Sequence, residues 1–228
     1  MPHVMHARSV IVGLYVTACS VLAAAALPAS AAALSVTVST ASGAALRDAV
    51  VVAEPAQKPP RPKSASIAIM DQRDLQFVPD VLVVQTGTAV NFPNSDQVRH
   101  QVYSFSPAKT FQLSLYAGRA YPPVVFDKPG LVTLGCNIHD DMLGYIYVTD
   151  SPWFGRTDAG GALQLADLPA GEYRIHLWHP LMNEGQAEIV QKVTVGEDPA
   201  ANRVHFTLQH AMRAPAMRHD ADKSWSDY

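Results

Sequence analysis

From Leu34 to Val38 the chain alternates apolar and polar residues, Ala41-Ser42-Gly43 supplies a turn, and Ala49 to Ala53 forms a second short apolar run. That pattern predicts a hairpin. Between Ser66 and Asp150 short apolar or alternating runs recur, separated by Gly, Pro, Asn and Asp: Ile67 to Met70, Val81 to Val84, Ala89 to Phe92, Val98 to Phe105, Val124 to Phe126, Leu131 to Cys136 and Leu143 to Val148. All have strand length, and no amphipathic helical period interrupts them. Beyond Asp150 the style repeats, with turns at Thr157 to Gly161 and Leu168 to Glu172 and strands at Leu163 to Ala166, Tyr173 to Trp178, Ala187 to Val195 and Arg203 to Leu208. The expected class is all-β, a Greek-key β-sandwich accompanied by a second, smaller one.

Composition divides this pattern further. Residues 1–33 carry a weakly basic start, an apolar run from Val10 to Leu27 and small residues through Ala33. They read as a signal peptide cleaved at Ala29-Ser30-Ala31 or Ala31-Ala32-Ala33, with export to the periplasm and no stable membrane span after cleavage. An uncleaved anchor and a lipoprotein box ending at Cys19 are the alternatives. Residues 34–56 form the first hairpin, 57–65 a stiff linker with Pro59, Pro60 and Pro62, 66–150 the main strand-rich unit, 151–209 a second β unit and 210–228 a polar, unpatterned tail expected to be disordered. A net charge of −3 without a dense Lys/Arg cluster excludes a nucleic-acid partner.

The chemistry concentrates in Cys136-Asn137-Ile138-His139-Asp140-Asp141-Met142, where a thiol, an imidazole and a thioether recur at even three-residue intervals. His100 lies upstream on a predicted strand, on one face with Val98 and Val102, so its ring points inward. Cys136 shares the inward face of its strand with Val132 and Leu134, and His139 and Met142 follow on the loop before a strand restarts near Gly144. Cys, two His and a weak Met are the ligands of a blue-copper site, since soft sulfur suits Cu(I) and imidazole tolerates both oxidation states. The chain has 2 cysteines, and loss of Cys19 with the signal leaves Cys136 as a lone thiol in an oxidising compartment, where metal ligation protects it. Zinc and a Cys nucleophile paired with His139 are competing chemistries. Thioether is a poor zinc ligand, and the loop offers no orienting Asn or oxyanion helix.

The run from Phe77 to Asp96 followed by His100, together with Lys128-Pro129-Gly130 leading to Cys136, His139, Met142 and Gly144, resembles the cupredoxins. The likeness is to the amicyanin, pseudoazurin and plastocyanin group and covers about Ser66 to Asp150. It implies one type 1 copper per chain held by His100, Cys136, His139 and Met142, one-electron transfer rather than enzyme catalysis, and a redox partner such as a cytochrome c or a dehydrogenase. Two features depart from the group. Gln101 stands where an Asn usually ties the ligand loops, and Asp140 and Asp141 stand where apolar residues usually surround the exposed His. Those carboxylates would favour Cu(II) and repel acidic partners, or simply face solvent.

Thr157 to Gly161 with Asp167 to Tyr173 resembles the carboxypeptidase regulatory-like, or prealbumin-like, β domains, whose opening strands look like Val36 to Thr40 and Asp48 to Val52. The resemblance implies that the copper unit is inserted into this second domain, as in methylamine utilisation-type cupredoxin proteins. The alternative is sequential domains with Leu34 to Ala53 packed on the copper sandwich. Trp153-Phe154 is expected at the junction, and His176 and His179, on opposite sides of a strand, are expected to be structural. The functions in contention are a blue-copper electron carrier, a copper-binding or delivery protein without redox turnover, and an envelope interaction module with a vestigial site.

Overall fold

A computed structural model of the chain describes residues 31–57, 66–118, 121–182 and 188–209. Residues 1–30 of the signal-peptide reading, most of the Pro-rich linker and the tail from His210 lie outside them, whereas Ala31 to Ala33, its last three residues, already belong to the first strand. Among the described residues every regular element is a strand, numbered β1 to β17 along the chain. No helix of the described residues is long and apolar enough to cross a membrane.

Two sandwiches share the molecule. In the first, β6 (Val81–Gln85), β12 (His139–Thr149), β11 (Gly130–Cys136), β8 (His100–Ser106) and β9 (Lys109–Tyr116) form one sheet in that order. Facing it, β10 (Val124–Phe126), β7 (Thr88–Asn91) and β3 (Ile67–Ile69) form the other, and a small hairpin of β4 (Asp71–Arg73) and β5 (Gln76–Val78) completes the unit. Period-two alternation delivers Val90, Val102, Val132, Leu134, Ile146 and Val148 to one core with Met70, Phe77, Phe92 and Phe126. Each such fully buried side chain stabilises the fold by about 1.5–3 kcal/mol relative to exposure.

In the second sandwich, β14 (Ala162–Pro169), β1 (Ala31–Thr40) and β17 (Arg203–Leu208) form one sheet. The other consists of β13 (Phe154–Arg156), β2 (Val50–Pro55), β15 (Gly171–Trp178) and β16 (Ile189–Val195). Strand β1 pairs antiparallel with β14 and parallel with β17, and β2 pairs with β13 and β15. Leu34, Val36, Val38, Val51, Ile175, Leu177 and Phe206 fill its core. The Thr157-Asp158 turn is locked by Thr157, whose hydroxyl accepts from Ala49 N–H at 2.9 Å and donates to Leu46 C=O at 2.7 Å.

A third apolar cluster joins the sandwiches: Val50, Val52, Phe154 and Trp178 meet Val81, Leu131, Tyr145 and Tyr147. Phe154 packs at this junction as its position in the sequence suggests. Trp153 does not: its ring turns into the second core, 5.8 Å edge-on from Tyr173, and Nε1 donates to Asp167 C=O at 3.0 Å. Trp178 takes the junction place instead, because it projects from β15 opposite Ile175 and Leu177.

The structure adds strands that the apolar runs did not predict. Strand β9 sets Phe111 and Leu113 inward against polar Thr110, Gln112 and Ser114, and β4 and β5 are too short to show a period. It also moves a boundary: β12 begins at His139 rather than near Gly144. Asn137-Ile138 closes a tight turn that pairs Cys136 with His139, and the next pair is Gly135 with Leu143. Residues 140–142 thus form a bulge in β12.

Candidate metal centre

The turn and the bulge place the candidate ligands. Bulging out of register turns Asp140 and Asp141 to solvent and Met142 into the core, where it is buried in the same cluster as Cys136. Gly144 follows because a Cβ there would lie 2.8 Å from the Phe77 ring. On β8 a second register shift, between His100 and Val102, buries Gln101 along with its neighbours. His100 is completely buried, and Gly135 lets the neighbouring Tyr103 lie across β11 immediately before Cys136, with its hydroxyl 2.7 Å from where a Cβ would be.

Three donor atoms converge. His100 Nδ1 and His139 Nδ1 are 3.2 Å apart, and Cys136 Sγ lies 3.8 Å from the first and 3.7 Å from the second. These three residues form the only metal-competent group found among the described residues. With metal–nitrogen and metal–sulfur bonds of about 2.0 and 2.3 Å, trigonal coordination separates nitrogen from nitrogen by about 3.5 Å and nitrogen from sulfur by about 3.7 Å. The observed triangle agrees to within a few tenths of an ångström. Two nitrogen lone pairs and a sulfur facing one another at such distances repel unless a proton or a cation lies among them, so the donor set fits a metal ion.

The surroundings favour the deprotonated thiol. Burial pushes the Cys136 thiol up, but the hydrogen bond it shares with His100, those from Gln101 N–H and Ile138 N–H, and the charge of His100 bring it below its ordinary value. Burial pushes His100 down, and its bonds to Cys136 and Asp96 outweigh that and hold it above the usual imidazole range. Gln101 therefore serves the site through its main-chain N–H, which does not depend on which side chain it carries.

The far nitrogen of His100 is engaged as well. Its Nε2–H donates to Asp96 Oδ2 at 2.6 Å. A carboxylate can only accept, so this bond places the proton on Nε2 and leaves the Nδ1 lone pair facing the other donors. The motif spacing did not single out Asp96. It sits in the irregular stretch before β8, where no period says which way a side chain points.

His176 and His179 lie outside this centre. His176 bonds Glu188 at 3.0 Å and Glu54 at 2.8 Å, while His179 bonds Arg47 C=O at 3.1 Å and accepts from Leu181 N–H at 3.1 Å.

Fold and site together define a double β-sandwich with a candidate mononuclear His-Cys-His centre at the end of one sandwich. No family model and no curated protein matches the chain. Among solved structures it is similar to a copper-containing nitrite reductase from Thermus scotoductus SA-01, at 25% identity over 42% of this chain and 25% of that one, with a TM-score of 0.35. It is similar to an amicyanin at 19% identity over 42% of this chain and 97% of that one, with a TM-score of 0.33. A purple cupredoxin from Nitrosopumilus maritimus matches at 23% identity over 37% of this chain and 99% of that one, with a TM-score of 0.30. The match covers a quarter of the nitrite reductase's length.

Proposed function

We propose that this chain is an exported type 1 copper protein that passes single electrons to or from a periplasmic redox protein, with His100, Cys136, His139 and Met142 as the ligands. The observation that carries this reading is the donor triangle, whose sides suit trigonal coordination by one thiolate and two imidazoles. Bound copper supplies a one-electron Cu(II)/Cu(I) couple. The choice of copper over zinc rests on Met142, buried in the same core cluster as Cys136, since thioether is a soft donor suited to Cu(I).

The residues divide the work. Cys136 arrives with its thiol already disposed to ionise, through two main-chain donors and His100. His100 is fixed in a sheet interior, so its donor atom is held where both oxidation states need it. His139 is only partly buried and marks the side from which a partner can approach. Asp140 and Asp141, exposed on the bulge beside it, suit a partner with a basic surface around its redox group.

The second sandwich is read as a domain of the carboxypeptidase regulatory-like kind that carries the copper unit as an insert. What supports this is the pairing of β1 and β2 with strands that follow Trp153, and the burial of Val50 and Val52 against β6 and β12.

The test is a visible spectrum of the purified mature protein after addition of Cu(II). An intense thiolate-to-copper charge-transfer band, absent in Cys136→Ser, is the expected result. Tight but colourless Cu(I) binding points instead to copper delivery, and no stoichiometric copper binding overturns both.

A further inference from the structure

We infer that Asp96 is the positioning residue of the centre: its carboxylate fixes the tautomer and orientation of His100 and feeds negative charge through the ring toward the metal, which favours Cu(II) over Cu(I). The inference rests on the copper reading above and adds to it a residue outside the ligand set.

Asp96 is itself held in place from several sides. Its Oδ1 accepts from Asp74 N–H at 2.7 Å and its Oδ2 from Leu75 N–H at 3.1 Å, while the same Oδ2 accepts from His100 Nε2–H. Asp74 and Leu75 are consecutive residues in the left-handed region, with φ of 52° and 58°, an uncommon conformation for side chains other than Gly. They form the turn between β4 and β5, and that conformation aims both N–H groups at the carboxylate. The main chain at Asp96 is anchored too: its N–H donates to Asn94 Oδ1 at 2.9 Å, and buried Asn94 in turn donates to Val98 C=O and Tyr116 C=O, both at 2.9 Å. Tyr116 is the β9 partner of His100. The loop from Asn94 to His100 is thus tied at both ends to the strand it serves.

Two consequences follow from a carboxylate rather than a neutral acceptor at this place. A carboxylate has no proton to give, so it admits only one His100 tautomer, the one with Nδ1 free to coordinate. It also adds a negative charge that makes the imidazole a better donor, and such outer partners are typically worth 10–100-fold in metal affinity. The side chain is 12% exposed, so water screens this charge weakly. A backbone carbonyl could fix the tautomer, but it could not supply the charge.

Two variants separate these effects. Asp96→Asn keeps an oxygen that can accept from Nε2–H and removes the charge. Its copper should remain blue while the Cu(II)/Cu(I) ratio at fixed applied potential falls about tenfold, equivalent to about 59 mV upward for a one-electron couple. Asp96→Ala removes the acceptor as well, and nitrogen-15 NMR of the metal-free protein should then show neutral His100 changing from pure Nε2–H to a mixture of tautomers. Wild-type potential in Asp96→Asn overturns the charge effect. An unchanged tautomer in folded Asp96→Ala overturns the positioning role. Wild type that takes up no copper sinks the proposed function and the charge effect with it, whereas the NMR result still decides what Asp96 does to His100.

Discussion

The two sandwiches treat histidine in opposite ways. In the first, His100 and His139 bring their Nδ1 atoms to within 3.2 Å of each other and beside a buried thiol. In the second, both ring nitrogens of each described histidine are engaged. His176 lies between Glu54 and Glu188, and His179 between Arg47 C=O and Leu181 N–H. His205 lies between Thr37 at 2.8 Å on one side and Ser39 and Thr207, each at 3.2 Å, on the other. The contrast shows what makes an imidazole a candidate ligand: not its presence in a strand but a local fold that occupies one nitrogen and leaves the other facing a second soft donor.

The comparison breaks most directly at the ligands. His139→Ala should weaken copper binding by more than the roughly 10–100-fold that outer partners contribute, measured by competition with a Cu(I) chelator, while His205→Ala should leave the affinity unchanged. Equal effects from the two would erase the distinction. Met142→Ala comes next, since it removes a completely buried side chain from the core cluster that also holds Cys136. The metal-free protein should lose about 2–5 kcal/mol in urea denaturation, and bound copper should change colour. At Gly144 an added methyl would meet the Phe77 ring at 2.8 Å, so Gly144→Ala should cost about 1–3 kcal/mol by strain in the first sandwich alone.

A subtler difference is one of pH. His176 is held above its ordinary 6.5 chiefly by the Glu188 hydrogen bond, against burial, with Glu54 adding to it. A raised folded-state value means that this stabilisation is fully present below about pH 6.5 and is lost as pH rises through the higher folded value. Glu188 also accepts the Tyr147 hydroxyl of the first sandwich, and burial followed by Glu188 holds that phenol above its ordinary range. The midpoint of thermal unfolding for wild type relative to His176→Gln should therefore fall as pH rises above 6.5, and a flat difference would show that the charged cluster contributes nothing. The smallest effect belongs to His205→Ala, whose ring is exposed among hydroxyls. Its stability should stay within about 0.5 kcal/mol of wild type.

These contrasts also explain what could be read before any coordinates. The all-β class and most strands followed from period-two runs such as Val98 to Phe105 and Leu131 to Cys136, because a half-buried strand must alternate. The meeting of Cys136 with His139 was legible in their spacing, though as a loop rather than the tight turn and bulge that hold them. Asp96 was not legible. What aims it at His100 is a pair of left-handed residues more than twenty positions upstream, and no local pattern encodes that relation. Trp178 holds the junction place expected of Trp153 for a similar reason: which face of a short strand meets a neighbouring sheet depends on the sheet as a whole.

Strand β1 lies between β14 and β17, and its Thr37 hydroxyl reaches a residue 168 positions later. As the chain leaves the ribosome, that first strand must wait until Ala162 for one neighbour to begin and until Arg203 for the other, and closing such long loops is slow. The first sandwich has no such delay, since all its strands lie between Ile67 and Thr149. Order of synthesis thus favours a protein whose inner sandwich is complete while its outer one is still open.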